Sequence, residues 1–317
     1  MRYVVTGSAG FIGTHVCTEL LEQGHNVIGI DAFTDYYDPA LKRANANWLS
    51  AHDRYRSTEL DLVVADLGQY FDGADAVIHL AGQPGVRLSW AEHFHLYVER
   101  NVTASQRVLE AARRTAVPRL VLASSSSVYG NAQEYPTAED VPTRPFSPYG
   151  VTKLSMEQLA WAYVENWGLP VVALRYFTVY GPGQRPDMAM HKFIRNAATG
   201  EPVTVYGDGE QLRDFTYVSD AAAATIAAAS ADIRAGSVFN VAGGSSSTVN
   251  NVLRLVSESV GCELITHREP EQPGDVRATG GAIDRARALL GWEPAVPLEE
   301  GVKRQVVNQL GGNVAGE

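Results

Sequence analysis

The stretch Tyr3-Val4-Val5-Thr6-Gly7-Ser8-Ala9-Gly10-Phe11-Ile12-Gly13 decides how the rest of the chain is read. A short apolar run, of the length of one buried strand, ends in a glycine. Two further glycines follow at intervals of three, and residues 11–23 then carry a helical pattern. At such a turn Gly7 permits the sharp reversal, Gly10 lets a pyrophosphate approach the backbone, and Gly13 lets the helix pack on the strand. Asp31 ends a second predicted strand, 26–30, and stands 18 residues after Gly13, close to the interval of about 20 expected of a ribose-binding acid. A carboxylate there accepts hydrogen bonds from the adenosine hydroxyls and repels a 2′-phosphate, so NAD is expected rather than NADP. Phe11, Ile12 and Ala81 complete the predicted backbone cradle. A third strand is predicted at 59–62, with Asp61 and Leu62 at the adenine edge. A second register would use Asp66 and Leu67 instead.

Working outward, apolar strands at 75–80, 119–124 and 171–176 alternate with helical stretches at 39–50, 102–115 and 148–167. That alternation predicts an α/β fold, a Rossmann-type doubly wound parallel sheet covered on both faces. Ser147 and Pro148 form an N-cap and first-turn pair for the last helix. After Tyr180 the texture turns to Gly, Pro, Asp and Arg, which marks a smaller C-terminal substrate-binding α/β domain. The segment 217–243, an Ala-rich helix followed by a strand at 238–241, is expected to return to the main sheet. The predicted division is therefore 1–180 plus about 217–243 for dinucleotide binding, and about 181–216 plus 244–317 for substrate. The last few residues are expected to be loose.

Composition narrows the partners. A net charge of −10 repels nucleic acid and anionic lipid over most of the surface, so an anionic ligand needs a local cluster of Arg and Lys. No apolar run approaches the roughly 18 residues of a membrane span, and the first residues enter a strand directly, so neither anchor nor signal peptide is expected. Cys17 and Cys262 are the only cysteines. They read as buried, idle thiols in a reducing cytoplasm. His93 and His95 cannot share a helical face and His79 sits in an apolar strand, so no metal site is predicted.

Tyr149 and Lys153 lie four apart near the start of the 148–167 helix and so share one face. A neighbouring ammonium can lower a phenol toward working pH and make it a general base. Ser124 to Ser127 end the preceding strand, where a hydroxyl could bridge the tyrosine and a substrate hydroxyl.

The glycine triplet, the run Ser124-Ser125-Ser126-Ser127-Val128-Tyr129-Gly130 and Tyr149-Gly150-Val151-Thr152-Lys153 together resemble the extended short-chain dehydrogenase/reductase family, over nearly the whole chain. Aligned on Val128-Tyr129-Gly130, Ser125 takes the family's catalytic Ser/Thr position, beside Tyr149 and Lys153. Four more stretches resemble the UDP-glucuronate 4-epimerases of that family: Asp35 to Lys42, Gln83 to Arg87, Phe177 to Pro182 and Arg185 to Met188. The stretch Gly207 to Tyr217 is shared more widely among nucleotide-sugar enzymes. Ala32 departs from the pattern, since relatives commonly carry Asn there.

The resemblance implies oxidation of a UDP-sugar at C4, rotation of the keto sugar, and reduction on its opposite face. It implies that Arg213 and Arg277 grip the UDP pyrophosphate and Asp275 the uridine ribose, with Arg87 and Lys192 as further candidates. For Arg213 and Arg277 the competing reading is a surface ion pair. Ser126, Ser127 and Thr178 are read as hydroxyl donors to the sugar carboxylate, with strand-end hydroxyls as the alternative for the serines. Arg185 is read as a direct charge or as a lock on the loop that closes the site. Dehydratases of the family need Asp-Glu where this chain has Ser126-Ser127, and decarboxylases usually carry Glu at the second of these positions. UDP-glucose epimerases typically have Asn in place of Thr178. UDP-glucose 4-epimerase and UDP-glucuronate decarboxylase remain the alternatives, and a non-catalytic dinucleotide sensor would have lost Tyr149 or Lys153. The resemblance also implies a homodimer through two helices per subunit.

Overall fold

The β-branched and aromatic run Arg2–Thr6 forms β1, buried on both faces, with Val4 and Val5 shielded from solvent. A strand that apolar needs neighbours on both sides. It pairs in parallel with β2 (Asn26–Asp31) and with a strand that follows later in the chain, Ala76–His79. The computed structural model describes residues 1–311 and resolves this pattern into a seven-stranded parallel sheet. Its remaining members are β3 (Tyr55–Glu59), β5 (Leu120–Ser125), β6 (Val171–Tyr176) and β10 (Ser237–Val241), with Ala76–His79 as β4. The order is β10-β6-β5-β4-β1-β2-β3. The chain winds outward from β1 to β3 and then returns to β4 on the other side of β1. This reversal leaves a crevice at the carboxyl ends of β1 and β4, where open α/β sheets bind ligands.

Alternation along each strand feeds two cores. Val121 and Val172 point to the face covered by the helices Phe11–Glu22 and Val218–Ser230. Leu120, Leu122 and Val171 point to the face covered by Ala104–Arg114 and Pro148–Trp167. Ser147 caps the last of these helices by accepting from the Gly150 N–H at 3.1 Å, with Pro148 in the first turn as predicted.

Three expectations change in detail. The third strand is Tyr55–Glu59, not 59–62. It lies at the sheet edge with Arg56 and Ser57 exposed, so no apolar run marks it, and the apolar signal at 60–62 belongs to the turn that follows. The helix expected at 102–115 is regular only over Ala104–Arg114, because Val98–Thr103 forms a π-helical turn. Thr178–Tyr180 (β7), placed by sequence before the boundary, pairs with β9 (Leu212–Tyr217). With β11 (Ser246–Thr248) these make a separate three-stranded sheet.

A two-stranded ribbon of β8 (Val203–Tyr206) and β12 (Thr266–Glu269) and the helices Ala189–Thr199, Val249–Val260 and Leu298–Gln309 surround a third core. The chain crosses back once more. Ile283, Ala286 and Trp292 join the core of the large sheet, and the Trp292 indole donates to the Asp220 carbonyl at 3.0 Å. Asp214, in β9, ties the segments after β10 and before the helix Asp284–Leu290 to the small sheet. Its buried carboxylate accepts from the Gly243 and Gly281 N–H groups at 2.6 and 3.2 Å, and burial pushes it up to about 6. The expected looseness of the last few residues falls on 312–317, outside the described residues.

Candidate active site

Gly7 adopts φ +71°, and a Cβ on Gly13 would stand 2.0 Å from the Gly7 carbonyl oxygen, so the turn between β1 and the first helix closes only with glycine at both positions. Gly10, the N-cap residue, offers no side chain to the first helical N–H groups, so these and the positive end of the helix dipole remain for an anion. Gly7, Gly10, Phe11, Ile12 and Gly13 line a cleft together with Asp31, Asp61, Leu62 and Ala81. Asp31 is held at the end of β2 by the N–H groups of Phe33 and Ala9, at 2.8 and 3.2 Å. Of the two adenine registers, Asp61 and Leu62 face the cleft. Asp66 instead accepts from the Gly68 N–H at 3.1 Å, and Leu67 lies in the core. These features fit an NAD pyrophosphate and an unphosphorylated adenosine ribose.

Three residues given no role from the sequence stand in or against this cleft. Arg100 pairs with Asp61 at 2.7 Å, and the buried Lys42 ammonium donates to the Thr34 carbonyl and hydroxyl at 3.1 Å each. Asn101, from the π-helical turn, brackets the Gln83 backbone. Its Oδ1 accepts from the Gln83 N–H at 2.7 Å, and its Nδ2 donates to the Gln83 carbonyl and the Thr152 hydroxyl at 3.0 Å each.

The catalytic candidates converge one step along the cleft. Ser125 at the end of β5 and Tyr149 and Lys153 in the first turns of Pro148–Trp167 all line the next chamber, with Ser126, Ser127, Thr178 and Arg185. Ser125 accepts from the Ser127 N–H at 3.1 Å, and this cap folds the short turn that sets Ser126 and Ser127 along the wall. Ser124 differs, because its hydroxyl donates to the buried Glu157 carboxylate, which pairs with Arg175 at 2.7 Å.

The electrostatics differ from the expectation that Lys153 lowers the Tyr149 phenol. Burial holds the phenol above its ordinary value, and a hydrogen bond from Ser125 and the Arg185 charge draw it partly back. The Lys153 ammonium donates to the Ala123 carbonyl at 2.8 Å and stands 5.9 Å from the centre of the tyrosine ring. Burial brings Lys153 down to about 8, against the opposing charge of Glu157.

The far end of the cleft holds Arg213 and Asp275, and it shares Val86, Ser126, Ser127 and Thr178 with the central chamber. The dinucleotide end shares Phe11, Ile12, Gln83 and Arg185 with that chamber. One continuous channel therefore runs past Tyr149. Arg87 pairs with Asp275 at 2.9 Å and lies over the Tyr206 ring at 4.0 Å. Arg87 reaches this channel only through Asp275, and two further candidates are not brought to it. Arg277 is held bidentately by Asp208 at 2.7 and 2.9 Å on an exposed surface, the competing ion-pair reading, and Lys192 is exposed on Ala189–Thr199. Neither lines any of the three chambers.

Residues 3–242, three quarters of the chain, match the NAD dependent epimerase/dehydratase family. The chain belongs to this family. It is 38% identical over 309 residues to the UDP-glucuronate 4-epimerase of Thermodesulfobacterium geofontis, covering 96% of this chain and 94% of that one. It is also 41% identical over 307 residues to YtcB of Bacillus subtilis, described as an uncharacterized UDP-glucose epimerase, covering 96% and 97% of the two chains. In three dimensions it superposes with a TM-score of 0.95 and 37% identity on UDP-glucuronic acid 4-epimerase from Bacillus cereus in complex with UDP-glucuronic acid and NAD, covering 98% and 99% of the two chains. The family match, the parallel sheet and the glycine cradle make this an NAD-dependent enzyme fold of the type expected from the opening motif.

Proposed function

We propose that the chain epimerises UDP-glucuronate at C4, giving UDP-galacturonate through a 4-keto sugar. One observation carries the reading: Ser125, Tyr149 and Lys153 meet Thr178 and Arg185 in a single chamber between the dinucleotide cradle and the Arg213–Asp275 end. The similarity to UDP-glucuronate 4-epimerases supports it.

NAD, when bound, supplies a reversible acceptor for the hydrogen and electron pair that leave C4. The chain supplies the rest. Tyr149 takes the proton of the 4-hydroxyl and returns it, Ser125 orients the 4-oxygen, and Lys153 adds a positive charge to the same chamber. Gly7, Gly10, Gly13 and Asp31 hold the dinucleotide, and Arg213 and Asp275 hold the UDP moiety with Arg87. Ser126 and Ser127 offer hydroxyls where a dehydratase needs an acid and a base, so the 4-keto sugar keeps its C5 and C6 substituents.

Incubation with UDP-glucuronate, products resolved by NMR, should yield UDP-galacturonate at equilibrium and no net change in NAD. The YtcB likeness favours a second reading, a neutral UDP-glucose substrate. Parallel incubation with UDP-glucose separates the two, and faster turnover of the neutral sugar would overturn the first. Cofactor choice is a separate expectation. Calorimetry should find NADP bound at least about tenfold more weakly than NAD, or 1.4 kcal/mol. Asp31→Ala should narrow the gap, and equal affinities in the wild type would remove this role from Asp31.

The outer face of Pro148–Trp167 supports a homodimer. Val151 and Trp161 are about half exposed, and Val102, Pro145, Val151, Leu154 and Leu159 line an open apolar depression. Among the described residues no helix is long and apolar enough to cross a membrane, and Cys17 and Cys262 are unpaired. Both facts support a cytoplasmic enzyme.

A further inference from the structure

Among the described residues Arg185 is the one cation lining both the dinucleotide and the central chambers, yet it is already engaged. Its Nε and Nη2 donate to the two carboxylate oxygens of Asp187, each at 2.9 Å, and both side chains are largely buried. Asp187 lines the central chamber as well, and the Tyr36 hydroxyl donates to it at 3.3 Å from the dinucleotide side. Asp187 takes the side-on Nε/Nη2 edge of the guanidinium, and the end-on Nη1/Nη2 edge is left facing away from it.

This pairing bears on a demand peculiar to epimerisation. The keto sugar must present both faces to one acceptor, so its C5 carboxylate has to swing through the chamber in every cycle. A free guanidinium binds a carboxylate through two parallel charge-assisted hydrogen bonds, strong and specific in direction. Such a clamp would tighten the ground state without favouring the chemical step, and it would hold the sugar in one orientation.

We infer that Asp187 is a positioning residue that neutralises Arg185 and holds its side-on edge, weakening the grip of Arg185 on the sugar carboxylate and leaving the keto sugar free to turn. The inference rests on the proposed UDP-glucuronate reading. Asp187 also places a negative charge on the chamber wall, which leaves the carboxylate to the neutral donors Ser126, Ser127 and Thr178 and to a single edge of Arg185.

The test compares wild type, Asp187→Asn, Asp187→Ser and Asp187→Glu as NAD-loaded proteins. It measures calorimetric affinity for UDP-glucuronate and for UDP-glucose, together with kcat on UDP-glucuronate. Removing the charge in Asp187→Asn or Asp187→Ser should tighten UDP-glucuronate about tenfold, shift UDP-glucose by less than about twofold, and lower kcat about tenfold. Asp187→Glu, which keeps the charge, should bring the ratio of affinities back toward wild type. A merely structural role would weaken both ligands together, and that result, or unchanged affinity for UDP-glucuronate in both neutral variants, overturns the inference. Failure of the underlying reading shows earlier, as absence of UDP-glucuronate turnover in the wild type, and takes the assignment of Asp187 with it.

Discussion

Tyr149→Phe is expected to bind NAD and UDP-glucuronate as the wild type does and to lose about 10²- to 10⁴-fold in turnover, the range that a general base contributes. The substitution removes one oxygen from a ring held by its neighbours. Tyr97 packs edge-on against it with ring centres 6.3 Å apart, so the shape of the chamber survives. What is lost is the phenol that hydrogen-bonds Ser125 in the chamber. Burial holds that phenol high, while Lys153, brought down to about 8, keeps its ammonium on the Ala123 carbonyl. NAD, held by the glycine turn and Asp31, would add positive charge to the channel and would favour the phenolate of Tyr149. Turnover above about a tenth of wild type in Tyr149→Phe, with product resolved by NMR, would assign proton removal to another group.

How much of this was legible depended on whether a residue's role is local. The glycine triplet reads correctly because the constraint it meets, a Cβ on Gly13 against the Gly7 carbonyl, lies within a single turn of chain. The helix Pro148–Trp167 reads correctly for the same reason, since its cap and first-turn proline are adjacent. Edge strand Tyr55–Glu59 escapes because a strand exposed on one side needs no apolar run. Asn101 escapes because a π-helical turn has no sequence period of its own, and its partner Gln83 is 18 residues away.

Arg277 shows the converse. A motif position points it toward phosphate, but Asp208, 69 residues earlier, occupies its fork, and linear spacing carries no sign of that competitor. Arg185 and Asp187 are only two apart and could have been paired from sequence. Their meeting in the chamber, however, depends on the loop after β7 crossing to Tyr36 in the loop that follows β2.

The fate of the sugar carboxylate gives the second large effect. Once C4 is oxidised, UDP-glucuronate is a β-keto acid, and its C5–CO2 bond breaks readily when it aligns with the carbonyl π system. The electron pair then enters the C4 carbonyl as an enolate, which takes a proton at C5 and leaves a 4-keto pentose. An epimerase must therefore hold the carboxylate where this overlap is poor during the time the sugar spends as ketone. Thr178 at the start of β7 and the Ser126–Ser127 turn line the wall of the chamber, and Arg185 joins that wall to the dinucleotide side. No carboxylate stands at position 127 to repel the acid, as a glutamate there would. Thr178→Ala removes one donor. Arg185→His shortens the side chain and breaks the pairing with Asp187. Each is expected to let the keto sugar tilt, so that a fraction of turnovers on the order of a tenth or more ends in CO2 and a UDP-pentose, with the carried hydrogen returned to C4. Mass spectrometry of the nucleotide-sugar products measures the partition directly. If both variants only slow epimerisation and yield no pentose, the carboxylate is restrained by other groups, and the assignment of this wall to the acid end of the sugar is wrong.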